Sequence, residues 1–305
     1  MEFKVGVSMI NTLISIILIM AAAPLIEGII KTAKARFQNR RGPSVLQPYY
    51  DLAKFFGKDS VVSPTVSWVF RLAPYVYFAT VFAATGVVAT GGEVSQFADM
   101  LILIYLLGLG RFFLALASLD AGSAFGGMGG SREMFLAVLV EPALLLALIS
   151  VAFTANTTAL GGMAGAAGGL PFSLPYILAA IAFFIVLIAE TGRIPVDNPD
   201  THLELTMIHE GMILEYSGRS LGLIHWASMA KQTVMLMLFV AFFVPWDLPG
   251  LSQAGLGGIW FVIKVMLAAG LLALVETSTN KMRIFKLPGL LAVSCLLSLL
   301  ALVAQ

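Results

Sequence analysis

Residues 5–30 read VGVSMINTLISIILIMAAAPLIEGII, an apolar stretch with a single charged residue, Glu27. A helix needs about 20 apolar residues to cross a bilayer. The stretch is too long for the hydrophobic region of a signal peptide, although residues 21–23 resemble a cleavage site. It is therefore predicted to be a retained first transmembrane helix.

Seven more apolar stretches follow, at about 68–90, 99–119, 133–153, 175–192, 228–246, 256–277 and 287–304. The chain of 305 residues is 59% hydrophobic and only 11% charged, whereas a soluble domain carries about 25% charged residues. We predict a single all-α polytopic membrane domain over residues 1–305, with about eight transmembrane helices. The span at 175–192 is the weakest because its end is polar from Glu190, and residues 161–169 are expected to form a flexible external loop.

The basic residues alternate between the loops. Because positively charged loops stay in the cytoplasm, the odd-numbered loops are predicted to be cytoplasmic, with long ones at about 31–67 and 192–227 and both termini outside. The three even-numbered loops contain no Lys or Arg, whereas the odd-numbered loops and their edges contain fourteen of the 18 in the chain: Lys31, Lys34, Arg36, Arg40, Arg41, Lys54, Lys58, Arg71, Arg132, Arg193, Arg219, Lys281, Arg283 and Lys286.

Several functions are disfavoured by what the sequence lacks. A net charge of +1 gives no bulk attraction to nucleic acid. Cys295 is the single cysteine, so the sequence holds no intrachain disulfide and no cysteine-ligated cluster. The spacing of His202 and His209 does not match a metal motif, and no phosphate-binding or dinucleotide fingerprint is present. We expect no catalytic residue, metal or cofactor within this chain.

The first long loop predicts a short helix at the membrane surface. Val45, Leu46, Tyr49, Leu52, Ala53 and Phe56 recur at helical spacing, and Pro48 falls where a first helical turn tolerates proline. This pattern is typical of an amphipathic interfacial helix. The simplest function for it is a basic membrane anchor.

The fifth loop is dense in acidic residues, which are interleaved with apolar residues and stiffened by Pro195 and Pro199. We predict that these acids form a buried ion-pair network with the basic first loop, an arrangement that perturbs carboxylate pKa values and suits proton traffic. The alternative is a solvated acidic loop. The acids are Glu190, Asp197, Asp200, Glu204, Glu210 and Glu215.

Arg111 and Glu141 fall well inside predicted helices, where a charge costs about 2.5–3.5 kcal/mol. Each lies a similar distance from the inner end of its helix, so we predict that their charged groups approach within about 12 Å. A structural ion pair without a transport role is the alternative. Pro142 is expected to interrupt hydrogen bonding beside Glu141.

The loop motifs resemble those of the respiratory complex I subunit 1 family. The resemblance rests on Arg41-Gly42-Pro43 with Leu46-Gln47-Pro48, Asp51 and Lys54, on residues 190–197, ETGRIPVD, and on residues 215–218, EYSG. Complex I members usually carry Glu-Thr-Asn-Arg and Pro-Phe-Asp-Leu-Pro, so Gly192, Val196 and Asn198 depart from them. Residues 197–207, residues 120–133 and Glu141-Pro142 are similar to the branch of group 4 nickel–iron hydrogenases and formate hydrogenlyases.

This resemblance implies a non-catalytic membrane subunit of an oxidoreductase complex that links electron transfer to proton or sodium translocation. The implied partners are hydrogenase-like large and small subunits, a ferredoxin-like iron–sulfur subunit and antiporter-like membrane subunits. A nickel–iron centre and iron–sulfur clusters are expected in those partners. The implied relay residues are Glu141, Glu190, Asp197, Asp200, Glu204, Glu210 and Glu215, their ion-pair partners are Arg40, Arg41, Arg111 and Arg193, and the docking residues for the peripheral arm are Arg36, Gly42, Pro43, Gln47, Asp51 and Lys54.

Three alternatives remain open at this point. A quinone reductase component predicts a quinone-sized apolar chamber at the membrane surface. A stand-alone secondary transporter predicts inverted repeats and interrupted helices at the midplane, and neither is visible in the sequence. A sulfur- or formate-linked relative would differ only in ligands that a different protein of the complex carries.

Overall fold

The computed structural model describes residues 2–90, 98–167, 173–198, 207–246 and 257–304, with side chains from residue 10 onward. Within these ranges the chain forms helices and no named strand. The helices are α1 (Glu2–Phe37), α2 (Gln47–Phe56), α3 (Trp68–Ala89), α4 (Met100–Asp120), α5 (Ala124–Ala155), α6 (Leu160–Ala167), α7 (Leu174–Glu190), α8 (His209–Ile213), α9 (Gly218–Phe243), α10 (Gly257–Ser278) and α11 (Leu287–Val303), with a 3₁₀ turn at Ile284–Lys286.

Each of the eight predicted spans corresponds to an observed helix. In the described ranges, seven segments are long and apolar enough to cross a membrane: α1, α3, α4, α5, α9, α10, and α11 with its 3₁₀ turn. The eighth, α7, is a shorter apolar helix of 17 residues, which gives it a length of about 26 Å. The prediction of an all-α polytopic membrane protein is confirmed.

Two helices begin earlier than predicted. Helix α5 begins at Ala124 rather than near residue 133, because the glycines in its first turns allow the segment at α8 to approach closely. A Cβ on Gly129 would lie 2.8 Å from the carbonyl carbon of Gly211, at α8. Helix α9 begins at Gly218 rather than near residue 228, because its first turns carry polar residues that the hydropathy pattern assigned to a loop.

The predicted flexible loop at residues 161–169 is wrong where the structure describes it, since Leu160–Ala167 is helix α6. Leu160, Met163 and Ala167 are buried, so one face of α6 packs against the rest of the protein. The backbone N–H of Leu160 donates to the carbonyl of Ala98 at 2.8 Å, which ties α6 to the start of α4. Residues 168 and 169 lie outside the described ranges.

Helix α9 is the central element of the fold, because it packs against α1, α3, α7 and α10. Helix α5 packs against α4, α7 and α11, and α10 packs against α1. Phe242 of α9 and Leu148 of α5 are fully buried in one large apolar cluster, whereas Tyr77 and Leu114 belong to a second cluster around α3 and α4. Polar side chains on the inner face of α9 therefore meet several neighbouring helices.

Helix α2 confirms the predicted amphipathic helix, with Pro48 and Leu52 buried. It is also hydrogen-bonded to α1 near Pro24, which removes one backbone hydrogen bond from that helix. Proline lacks an N–H, so the carbonyl of Met20 loses its usual donor and instead accepts from Trp226 Nε1 at 2.9 Å. The hydroxyl of Tyr49 donates to the next carbonyl, that of Ala21. The irregularity in α1 thus positions α2 and α9.

The first loop folds back onto α1 at Gly28. A Cβ there would lie 1.9 Å from the carbonyl oxygen of Val45. We expect Gly28→Ala to cost about 1–3 kcal/mol through overpacking, measured as a lower Tm in detergent and faster tryptic cleavage of the first loop. Gly270→Ala is the control, because nothing lies within 4 Å of its Cβ position. Equal Tm values for both variants would contradict this account.

Candidate functional site

The C-terminus of α7 separates two charged side chains, Glu190 and Arg193. The N–H of Arg193 donates to the carbonyl of Ile188 at 3.0 Å and that of Gly192 to Ala189 at 3.2 Å, the two bonds of a Schellman motif. The motif requires a left-handed residue, and Gly192 has φ of 62°. The turn places the two charges in different clusters.

The first cluster surrounds Glu190, whose side chain is almost completely buried. Its carboxylate accepts hydrogen bonds from Arg111 of α4 and from Lys231 of α9, the latter at 3.2 Å. Arg111 Nε lies 3.5 Å from Glu133 Oε1, and Arg111 Nη1 lies 3.5 Å from Glu141 Oε1. In this Glu190 cluster, three carboxylates face two cations. The cluster therefore has an excess of negative charge, which a proton on one of its carboxylates would neutralise.

The second cluster surrounds Arg193. Its guanidinium donates to Glu27 of α1 and to Gln232 of α9, and its Nη1 lies 3.5 Å from Glu276 Oε1 of α10. Lys34 Nζ lies 3.5 Å from Glu276, and Lys31 Nζ lies 3.5 Å from Glu27. Counting the described side chains alone, three cations of this Arg193 cluster face two carboxylates, the reverse of the balance around Glu190.

Asp197 and His209 lie between the two clusters. The Asp197 carboxylate is buried, accepts from Lys281 Nζ at 2.7 Å and accepts from the backbone N–H of His209 at 3.1 Å. Burial of the imidazole and the nearby Lys231 ammonium lower the pKa of His209 to about 4, and the Asp197 carboxylate acts in the opposite direction. His209 is therefore neutral near pH 7.

Two cavities adjoin these groups. The Glu27 cavity has a volume of about 260 Å³, and its lining includes Glu27, Lys31, His225 and Gln232. The Tyr77 cavity, of about 40 Å³, is lined by Tyr77, Glu133, Glu190 and Lys231 among others. Both have charged side chains in their walls and room for water. They provide hydrated space on either side of Asp197 and His209.

A lateral groove of about 500 Å³ adjoins Glu141 between α4 and α5. Its other walls are mainly apolar, and Tyr105 and Phe112 are exposed there. The Glu141 side chain is 46% exposed to this groove. The Glu190 cluster therefore extends to the lateral surface of the protein.

The structure brings several predicted residues together. The predicted approach of Arg111 and Glu141 is confirmed, since their charged atoms lie 3.5 Å apart. Glu190, Asp197 and Arg193 are buried in the network, and Glu210 lines the Glu27 cavity. Glu215 is exposed and forms no ion pair with the described residues of either cluster. Asp200 and Glu204 lie outside the described residues.

The first-loop residues that join the buried network differ from those predicted. Arg40 and Arg41 are exposed and make no ion pair with the described acids of the fifth loop, because their segment follows the end of α1 at the surface. Of the docking residues, Arg36, Gly42, Pro43 and Lys54 are exposed, whereas Gln47 and Asp51 are partly buried and joined by a hydrogen bond of 2.9 Å. Lys31 and Lys34, nearer the membrane, are the first-loop cations that reach buried carboxylates.

Eight of the described network residues were missing from the relay and ion-pair candidates derived from sequence: Glu27, Lys31, Lys34, Glu133, Lys231, Gln232, Glu276 and Lys281. Glu133 stands eight residues before Glu141 on α5, about two turns away, and this spacing could have indicated that both reach the same arginine. Lys281 comes from the connection between α10 and α11, and nothing in its local sequence points to Asp197. Among the described residues, no group of three His, Cys, Asp or Glu is placed to hold a metal ion.

Comparison with known proteins assigns the family. Residues 10–305 match the family model described as NADH dehydrogenase. The chain belongs to this family. It is 38% identical to formate hydrogenlyase subunit 4 of Escherichia coli K12, over 91% of this chain and 92% of that protein. It is also 38% identical to hydrogenase-4 component C of the same organism, over 79% and 76%.

The chain is also similar to more distantly related proteins. One NADH-quinone oxidoreductase subunit, from Syntrophotalea carbinolica, is 32% identical over 84% of this chain and 85% of that protein. A chain in the structure of the membrane-bound sulfane sulfur reductase, an archaeal respiratory membrane complex, has the same fold. It matches with a TM-score of 0.79 at 21% identity, covering 96% of this chain and 99% of that chain.

The Glu190 cluster predicts that Arg111 is essential for stability. Replacing it with methionine leaves Glu133 and Glu190 without a guanidinium, and breaking a buried pair costs about 3–5 kcal/mol. We expect Arg111→Met to abolish stable accumulation, measured by the amount of monodisperse protein in detergent. The exposed Arg71→Met is the control. Normal accumulation of Arg111→Met would argue against a buried network.

The low pKa of His209 predicts a loss of stability in acid. The folded state keeps the imidazole neutral, so its contribution is present above the unfolded pKa near 6.5 and is lost as the pH falls towards about 4. Between pH 6.5 and 5 the loss is roughly 1–2 kcal/mol. We expect the Tm of His209→Gln to decline less over this interval than that of the wild type. Parallel declines would contradict the assignment.

Proposed function

We propose that this chain is the membrane-anchoring and coupling subunit of an energy-converting hydrogenase-type complex, linking electron transfer in a peripheral arm to proton or sodium translocation. The observation that carries the proposal is the series of buried charges from the Glu27 cavity to Glu141. The similarity of the chain to formate hydrogenlyase subunit 4 and to hydrogenase-4 component C supports a complex of the hydrogenase type.

The buried charges suit coupling because they come from five helices and are held by one another. Glu27, Arg111, Glu190, Lys231 and Glu276 lie on α1, α4, α7, α9 and α10 respectively, and all five are buried. Buried charges in a low dielectric respond strongly to a nearby change of charge. A redox-driven charge at the cytoplasmic surface would therefore shift proton occupancy deeper in the network.

Glu141 is proposed as the end of the path within this chain. A half-exposed carboxylate on an apolar lateral surface is unfavourable against lipid. A membrane subunit of the antiporter-like type would cover the groove and supply a hydrogen-bonding or basic side chain to Glu141. The path then continues through the partner rather than into lipid.

The exposed basic residues of the first loop are proposed to dock the peripheral arm. Arg36, Arg40, Arg41 and Lys54 give an exposed positive surface beside α2, which favours acidic partner segments. The proposed partners are hydrogenase-like large and small subunits and a ferredoxin-like iron–sulfur subunit. These partners would hold the nickel–iron centre and the iron–sulfur clusters, and this side of the membrane would be cytoplasmic.

The lining of the Glu27 cavity bears on the quinone alternative. Among the described residues, its walls carry Glu27, Lys31, Arg193, Asp197, Glu210 and two histidines, together with Met229. A quinone with an apolar tail favours a mostly apolar site. These charged side chains therefore favour a hydrated entrance for ions over a quinone chamber. The secondary-transporter alternative would be supported by ion transport by the purified chain alone.

The proposed function predicts that Glu141→Gln uncouples the complex. The amide keeps the shape of the side chain but cannot carry a proton, so we expect electron transfer to persist while ion translocation per electron falls at least five-fold. The measurement is ion uptake by inverted membrane vesicles during turnover. Unchanged uptake in Glu141→Gln would count against the coupling role.

Glu215→Gln tests whether the exposed acid belongs to the same path. The resemblance implies a relay role for Glu215, which predicts a similar loss of coupling, whereas its position outside both clusters predicts normal coupling. We expect normal coupling. A five-fold loss would show that the path extends along the surface to Glu215.

A further inference from the structure

The two cavities are separated by a thin wall that includes His209. Of the residues that the structure describes, five line both cavities: Thr191, Gly192, Asp197, His209 and Ser228. Among them, imidazole is the group that can accept a proton at one nitrogen while it releases one from the other. The exchange of protons between the cavities therefore depends on this ring or on water passing beside it.

Hydrogen bonds direct the ring towards the Tyr77 cavity. Ser228 Oγ lies 3.4 Å from His209 Nε2 and 3.2 Å from the hydroxyl of Tyr77. The backbone N–H of His209 is fixed separately, by its bond to Asp197 Oδ2. The backbone is thus anchored while the ring joins a polar chain that leads from the wall to α3.

We propose that His209 is a proton gate between the Glu27 cavity and the Tyr77 cavity. The ring takes up a proton at one nitrogen from water in the Glu27 cavity and releases one from the other nitrogen to Ser228 or to water in the Tyr77 cavity. One N–H bond forms as the other breaks, so the ring stays neutral and exchanges its tautomer. Rotation of the ring restores the starting tautomer.

The acceptor beyond the gate is a carboxylate of the Glu190 cluster. Glu133 lines the Tyr77 cavity and belongs to the cluster in which carboxylates outnumber cations. Its side chain retains 15% exposure, more than that of Glu190. A proton entering this cavity therefore meets a carboxylate that it can neutralise.

The charges around His209 favour a neutral ring throughout the transfer. The ammonium of Lys231 opposes a cationic ring, and Asp197 partly offsets this effect. Release from one nitrogen therefore accompanies uptake at the other, because a ring that held both protons would be cationic. Among the described residues, the titratable and charged groups around His209 and its two cavities come from several elements: Glu27 and Lys31 on α1, Tyr77 on α3, Arg111 on α4, Glu133 on α5, Glu190 on α7, Arg193 and Asp197 after α7, Glu210 on α8, His225 and Lys231 on α9, and Lys281 after α10.

The gate rests on the proposed coupling function, and the test separates the two. The intact complex is reconstituted into proteoliposomes, and electron transfer and ion translocation are measured with His209→Gln, Ser228→Ala and Glu190→Gln. Glutamine keeps a hydrogen bond to Ser228 but cannot relay a proton. We expect His209→Gln to lower translocation per electron at least five-fold, with electron transfer within two-fold of wild type.

His225→Gln is the matched control, because this histidine lines only the Glu27 cavity of the two and stacks on Phe55 at 5.4 Å. It is expected to retain more than half of the wild-type coupling. Ser228→Ala leaves the imidazole in place but removes the hydroxyl that receives its proton. Because the relay is then broken, the effect of D₂O on translocation is expected to increase. This variant keeps the test valid if His209→Gln fails to assemble.

Each outcome decides one claim. Wild-type coupling in His209→Gln with uncoupling in Glu190→Gln overturns the gate and leaves the coupling function intact. Wild-type coupling in both variants overturns the coupling function itself. An equal loss in His225→Gln, or an unchanged D₂O effect in Ser228→Ala, also overturns the gate, because the effect would then belong to the cavity as a whole.

Discussion

The contact between Arg111 and Glu190 is the interaction on which the rest of the site depends. Both side chains are buried inside a membrane protein, where neither charge is tolerated alone. Their pairing joins α4 to α7, and Lys231 adds α9 to the same carboxylate. Because three helices meet at one buried group, a change in its charge affects all three. The same contact thus serves stability and provides the means for coupling.

The turn after α7 explains why a short motif carries so much of the organisation. Within four residues the chain supplies Glu190 to one cluster and Arg193 to another, with Gly192 making the reversal possible. The two clusters have opposite imbalances of charge, and Asp197 and His209 lie between them. A proton that moves from the Glu27 cavity to the Tyr77 cavity would therefore reduce an excess of negative charge. This arrangement is the physical basis of both proposals.

Much of the architecture follows from local sequence because the bilayer imposes one simple rule. Backbone groups in lipid must be satisfied within the segment, so long apolar stretches become helices. The rule identified all eight spans, and α2 followed from its amphipathic spacing. It failed where helices are polar or rich in glycine, as at the starts of α5 and α9. There, packing between neighbouring segments overrides the hydropathy pattern, as the close approach of Gly129 to Gly211 illustrates.

The sequence by itself determined the helices, the family resemblance and the expectation that Arg111 meets Glu141, because charges inside apolar helices need partners. The tertiary structure alone decided which partners they have. It brought Glu133 and Lys231 to the Glu190 cluster and Lys281 to Asp197, across separations that no periodicity records. It also placed the exposed Arg40 outside the network. Ion pairing depends on distance in space, and the packing of the helices sets that distance.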